Sequence, residues 1–157
     1  MNINPHKVTI QGDLSRNDVI QLCKWCDNKN IVEFGMGGST LLLARCAKEL
    51  CSYETDMNWF NITVKRIAQI PNKTCEPKLF HTNGVPEDIP ACDILWVDGI
   101  SSLRGPWLDT FFAKANIIIV HDSRRLADFK QVMEKIVTKF QEIDTIAVNL
   151  DPGAERL

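Results

Sequence analysis

The 157-residue chain is 45% hydrophobic and 24% charged, with a formal net charge of −2 and a pI near 5.9. That balance fits one domain, 1–157, able to bury roughly two-thirds of its unfolded surface, and it argues against a broad electrostatic footprint for nucleic acid. No apolar run approaches the roughly 20 residues of a membrane helix, and the start, Met1 to Lys7, has no signal-peptide core, so the six cysteines read as reduced thiols of a cytoplasmic protein.

Val8-Thr9-Ile10 is a short β-like run, either an edge strand or an arm. Ser15 with Asp18 three residues on is a capping-box signature, and Val19, Ile20, Leu22, Cys23 and Cys26 form a helical stripe behind it. Cys23 and Cys26 make a C-x-x-C inside that helix. With no second such pair and no H-x-x-x-H, two packed thiols are expected there, not a zinc or redox site.

Ile31-Val32-Glu33-Phe34 reads as a buried strand running into Gly35-Met36-Gly37-Gly38-Ser39-Thr40. Leu41, Leu42, Leu43, Ala44, Ala47 and Leu50 continue as a helical pattern. Glycine allows positive φ and lets a ligand approach the backbone, and the first N–H groups of the helix face that ligand. The turn lacks the third glycine of a dinucleotide fingerprint, where Thr40 stands, and the lysine of a P-loop, where Gly38 stands.

Cys51-Ser52-Tyr53-Glu54 is a short strand ending in an acid, and Glu54 lies 19 residues beyond Gly35. A doubly wound fold places a carboxylate for ribose hydroxyls at that spacing; Asp56 takes the role if the strand runs longer. Asn58 to Ile70 reads as a helix with Ile62, Val64, Ile67 and Ile70 inward, stopped by Pro71. Lys78 to Thr82 is a weaker strand leading into Asn83-Gly84. Asp93 to Val97 and Asn116 to Val120 are near-continuous apolar strands, the mark of parallel strands buried on both faces, ending in Asp98-Gly99 and His121-Asp122. Leu103 to Ala113 supplies a crossover helix between them, Leu126 to Phe140 the clearest helical stripe, and Ile146, Val148 and Leu150 a last strand.

The expected architecture is α/β: a Rossmann-like, doubly wound, mostly parallel sheet with helices on both faces. Four strands deliver an acid at or next to their C-terminal ends, namely Glu33, Glu54, Asp98 and Asp122. Open parallel sheets bind ligands there, where the strand order reverses. Gathered carboxylates repel one another, and a cationic or hydroxyl-rich ligand relieves that repulsion.

The E-x-G-x-G of Glu33-Phe34-Gly35-Met36-Gly37 resembles the first motif of the class I S-adenosylmethionine-dependent methyltransferases. Val97-Asp98-Gly99 and His121-Asp122 are similar to the small-molecule O-methyltransferase-like branch, and the resemblance runs from Ile31 to Leu150 with its motifs in order. It implies S-adenosylmethionine held by Glu33, Gly35, Met36, Gly37, Gly38, Ser39, Thr40, Glu54, Asn83 and Asp98, with Asn83 meeting the adenine amine. It further implies methyl transfer to a small acceptor, at oxygen, with Asp98, His121 and Asp122 at the reacting centre and His121 or Asp98 as base. Part of the branch holds a divalent metal through an acid after the fourth strand and an Asp-Asn pair after the fifth. Asp98 and Asp122 match, but Ser123 replaces the amide, so a Mg²⁺ site is the weaker expectation.

Arg124 and Arg125 fall in the first turn of the last helix, where a cation costs roughly 0.3–1 kcal/mol. Either one pairs with Asp122 or Asp98 while the other is solvated, or, with Arg104, they receive an anionic group on the acceptor. The family closes its sheet with a C-terminal hairpin, of which one strand is evident here, and no inserted lid shapes a pocket; a second copy or a partner subunit can supply one. Two rivals stay open. An NAD-binding Rossmann oxidoreductase accounts for Glu54 but not for Thr40 or the placement of Glu33, and a non-catalytic cofactor-binding subunit accounts for the missing lid.

Overall fold

A computed structural model describes residues 14–121 and 130–140. Five strands form one parallel sheet: β1 (Asn30–Phe34), β2 (Glu49–Glu54), β3 (Lys78–His81), β4 (Cys92–Val97) and β5 (Ala115–Val120). Their order is β3-β2-β1-β4-β5, so the winding reverses between β1 and β4. The helices are α1 (Arg16–Cys26), α2 (Gly38–Leu43), α3 (Met57–Ala68), α4 (Ser101–Phe111) and α5 (Lys130–Val137).

The alternation of strand side chains divides the core in two. Ile31, Leu50, Ile94 and Trp96 pack with α1, α2 and Ile67 of α3. Val32, Phe34, Leu95 and Val97 pack on the other face against Trp107, Leu108 and Phe111 of α4 and Val132 and Ile136 of α5. Both faces are covered, which is why the strands read as nearly continuous apolar runs. None of the helices among the described residues is long and apolar enough to cross a membrane.

The capping box at the start of α1 is present: Ser15 N–H donates to Asp18 Oδ2 at 2.6 Å and Asp18 N–H to Ser15 Oγ at 3.3 Å. α2 is shorter than its apolar pattern predicts. Arg45 and Cys46 N–H turn back to the carbonyls of Leu42 and Leu43, three residues earlier, which tightens and ends the helix. Ala47 is then buried just after the turn, and Leu50 belongs to β2; a short helix followed by a buried strand mimics one long stripe. In α3 the inward residues are Thr63 and Ile67, whereas Ile62 is exposed. β3 reaches β4 through residues 82–91 without a helix, anchored where Trp107 Nε1–H donates to Gly84 O at 3.2 Å. The expected strands at Val8–Ile10 and Ile146–Leu150 lie outside the described residues.

Candidate active site

The strand ends meet at glycine. Gly35 has φ +94°, and a Cβ on it would stand 2.4 Å from Gly99 N and 2.5 Å from Gly99 Cα. A Cβ on Gly99 would in turn stand 2.3 Å from Trp107 Cζ3. The β1 and β4 ends therefore touch backbone to backbone, and glycine is needed at Gly35 first for packing. Beyond it, the Met36 peptide groups are pinned from the neighbouring elements: Met36 N–H donates to Glu54 Oε2 at 2.9 Å, and Trp59 Nε1–H donates to Met36 O. Gly37 N–H donates to Thr40 Oγ1 at 2.8 Å.

This seam floors an open cleft of about 470 Å³, within the roughly 300–1,000 Å³ of small-molecule sites. It is lined by Gly35, Met36 and Gly99 of the seam, by the acids Glu54, Asp56 and Asp98, by Asn58, and by the apolar Trp59, Ile62 and Ile100. Glu54 is 6% exposed; its Oε1 accepts from Thr55 N–H at 2.7 Å and Asp56 N–H at 2.8 Å. Asp56 caps α3, accepting from Trp59 N–H at 2.8 Å.

Two further polar clusters lie behind the cleft. On the β1 side Glu33 is fully buried, and Ser39 Oγ and Ser52 Oγ donate to its two oxygens at 2.5 and 2.6 Å. Burial lifts its carboxyl to about 7 against those hydrogen bonds. On the β4 side His121 Nδ1–H donates to Asp98 Oδ1 at 2.8 Å, and its Nε2 lies 3.6 Å from Asp18 Oδ2. Burial opposes the charge on the ring, but hydrogen bonds and charge from Asp18 and Asp98 raise it to about 10. For Asp18 burial likewise opposes ionisation, and bonds from His121 and Ser15 outweigh it and lower its pKa. Arg104, 3% exposed, donates from Nε to Gly99 O at 2.6 Å, from Nη1 to His121 O at 3.0 Å and from Nη2 to Asp98 Oδ1 at 3.3 Å.

Gly35, Met36, Glu54 and Asp98 thus come together at the cleft as expected from their strand ends. Gly38, Ser39 and Thr40 are buried in α2 behind the turn, and Gly37 borders Trp59 at ordinary contact distance. Asn83 is exposed in the turn after β3 and does not line the cleft. Two expectations are corrected. Arg104 is a buried clamp on the β4 and β5 ends, not an open anion receptor, because its N–H groups serve the chain itself. The carboxylates of Asp18 and Asp98 on either side of the His121 ring favour its protonated form against burial, and a protonated ring has no lone pair with which to act as a base.

Asp122, Arg124 and Arg125 lie outside the described residues. Among the described residues no group of three or more His, Cys, Asp or Glu is arranged to hold a metal ion. Cys23 and Cys26 sit in α1, with burial pushing the Cys26 thiol far above its usual range. Sequence reasoning missed Trp59, Ile100 and the second role of Asp18. An indole at the third position of α3 carries no local signal, and Asp18 already has a full explanation as a cap.

No family model and no curated protein matches the chain. Solved structures do resemble it. A methyltransferase from Pyrococcus furiosus is 13% identical, with 78% of this chain and 70% of that one covered at a TM-score of 0.55. An rRNA methylase from Streptococcus thermophilus is 14% identical, covering 88% and 92% at 0.51. A dimethyladenosine transferase from Plasmodium falciparum is 13% identical at 0.52; 70% of this chain is matched, but it spans only 42% of that protein. At such identities the likeness is one of fold, and the fold is the Rossmann-like methyltransferase type.

Proposed function

We propose that the cleft binds S-adenosylmethionine and that the chain transfers its methyl group to a small acceptor, at oxygen. The observation that carries this reading is the make-up of the cleft at the β1–β4 reversal: three carboxylates, Glu54, Asp56 and Asp98, around an apolar wall of Trp59, Ile62 and Ile100. That set suits a ligand with a cationic end, vicinal hydroxyls and a flat base. A pyrophosphate would face three acids, which weighs against NAD. Among the described cleft-lining residues there is no lysine or arginine. With a net charge of −2, this also weighs against a nucleic-acid acceptor of the kind named for the Streptococcus protein.

Bound there, the cofactor would supply an electrophilic methyl group on a sulfonium. Glu54 and Asp56 would take the ribose hydroxyls, and Trp59, Ile62 and Ile100 the base. Asp98 would face the cationic end and the acceptor, its carboxylate fixed by Arg104 and His121. In this reading His121 positions Asp98, and any proton leaving an acceptor hydroxyl goes to Asp98 or to solvent. In-line displacement gains roughly 7–11 kcal/mol from placement alone, so fixed carboxylates and a snug wall suffice without a metal. The acceptor's anionic group, if it has one, falls to Arg124 and Arg125. A cytoplasmic setting and a partner subunit that roofs the cleft complete the proposal.

Calorimetry with S-adenosylmethionine, S-adenosylhomocysteine and NAD tests it. Binding of the first two and not the third is expected; binding of NAD alone would replace the reading with the oxidoreductase one.

A further inference from the structure

Asp18 belongs to the capping box of α1, a helix that contributes no residue to the cleft lining. Its Oδ2 accepts from Ser15 N–H at 2.6 Å and also lies 3.6 Å from His121 Nε2, just past the end of β5. On its other side the same ring donates from Nδ1 to Asp98 Oδ1 at 2.8 Å. Arg104 Nη2 donates to that same oxygen at 3.3 Å, and its Nη1 holds the His121 carbonyl at 3.0 Å. Among the described residues none donates to Asp98 Oδ2, and Asp98 lines the cleft. One oxygen of the acid is therefore tied into the fold, and the other is left for what binds. Ionised carboxylates accept and never donate, so a ring set between two of them is best served by a proton on each nitrogen. The Trp96 indole, 5.8 Å away between ring centroids, packs on the imidazole but offers it no acceptor oxygen. Without Asp18 the Nε2–H of a ring whose side chain is only 11% exposed would lose its partner, a costly state that a rotation of the ring relieves.

Resting on the S-adenosylmethionine reading of the cleft, we propose that Asp18 is a positioning residue for the ligand site: by holding His121 Nε2 it fixes the ring that ties down Asp98 Oδ1, and so keeps Oδ2 turned to the cationic end of the ligand. Asp18 touches no ligand itself. The carboxylate that caps α1 is also the one that steadies the ring, so the seating of this helix and the affinity of the cleft are coupled.

A double-mutant cycle read by calorimetry with S-adenosylhomocysteine, which keeps the ammonium group, tests this. Asp18→Asn keeps an oxygen for Ser15 N–H and presents a neutral amide to His121. It is expected to weaken binding about fivefold in the wild-type background and less than about twofold in the Asp98→Asn background. Nitrogen NMR of the imidazole should show the Nδ1–H signal of His121 far downfield in wild type, from its bond to Asp98, and displaced in Asp18→Asn. If Asp18→Asn does not fold, wild type decides: both ring N–H signals, the Nε2–H beside Asp18 included, should shift on saturation with S-adenosylhomocysteine. Unchanged affinity in Asp18→Asn, a fivefold loss that persists in the Asp98→Asn background, or ring signals unmoved at saturation overturns the proposal alone. No binding of S-adenosylmethionine or S-adenosylhomocysteine by wild type overturns the cofactor reading and this proposal with it.

Discussion

Behind the β1 end the side chains that hydrogen-bond Glu33 are hydroxyls, whereas behind the β4 end Asp98 is bonded by the Arg104 guanidinium and the His121 ring. Both acids sit at the carboxyl edge of the same sheet, on paired strands whose ends come into close contact at Gly35 and Gly99. The partners decide what each acid can do. Arg104 and His121 tie Asp98 to the β4 and β5 ends through hydrogen bonds to Gly99 O, His121 O and the carboxylate itself. The hydroxyls around Glu33 bring no positive charge, so burial lifts its carboxyl to about 7.

The severest way to break the comparison is to part the two strand ends. Gly35→Val drives a Cβ into Gly99 backbone and strains a positive φ, so urea unfolding should show a loss of about 4 kcal/mol or more. The sequence alone predicts that such a variant stays folded and merely loses its ligand; the close approach of Gly99 removes that expectation.

Next in size is the loss of a cation from the Asp98 cluster. Arg104→Ala leaves Asp98 with one cationic partner and frees the Gly99 and His121 carbonyls. A loss of about 3 kcal/mol is expected by the same measurement. A loss below about 1 kcal/mol would mean that the clamp is ornamental.

The pH dependence of stability separates the clusters. Both groups have raised folded values, so both contribute stability that is present at low pH and lost as pH rises. For Glu33 the loss runs from about 4.5 to about 7, for His121 from about 6.5 to about 10. The slope is at most about 1.4 kcal/mol per pH unit for each group. Glu33→Gln should flatten the lower window and leave the upper, and His121→Asn the reverse; denaturant midpoints across pH check both.

Smaller effects belong to the ligand. Glu54→Gln should weaken S-adenosylmethionine by about 1.5 kcal/mol, the lower end for a hydrogen bond to a charged group. Ile100, 49% exposed on the cleft wall, should matter to binding and not to stability: Ile100→Ser is expected to cost about 1 kcal/mol of affinity with an unchanged melting temperature.

Much of this was legible beforehand. Apolar runs ending in acids located β1, β2, β4 and β5, and the glycine turn marked the reversal, because parallel strands and tight turns leave strong local patterns. Partners across the sheet were not legible. Nothing near Asp18 or His121 in sequence says that α1 and the β5 end meet, so a cap and a presumed base turned out to share a charge network. Arg104 looked free because the carbonyls it clamps lie 5 and 17 residues away. Leu50 was misplaced for the opposite reason: its local pattern was too good.

The cleft as the cofactor site is tested most directly by following backbone amides by NMR during titration with S-adenosylhomocysteine. Saturable shifts are expected at Met36, Gly37, Thr55, Asp56, Gly99 and Ile100, with little change at Gly84 or along α4. Shifts confined to other parts of the molecule, with those six amides unmoved at saturation, would contradict the assignment.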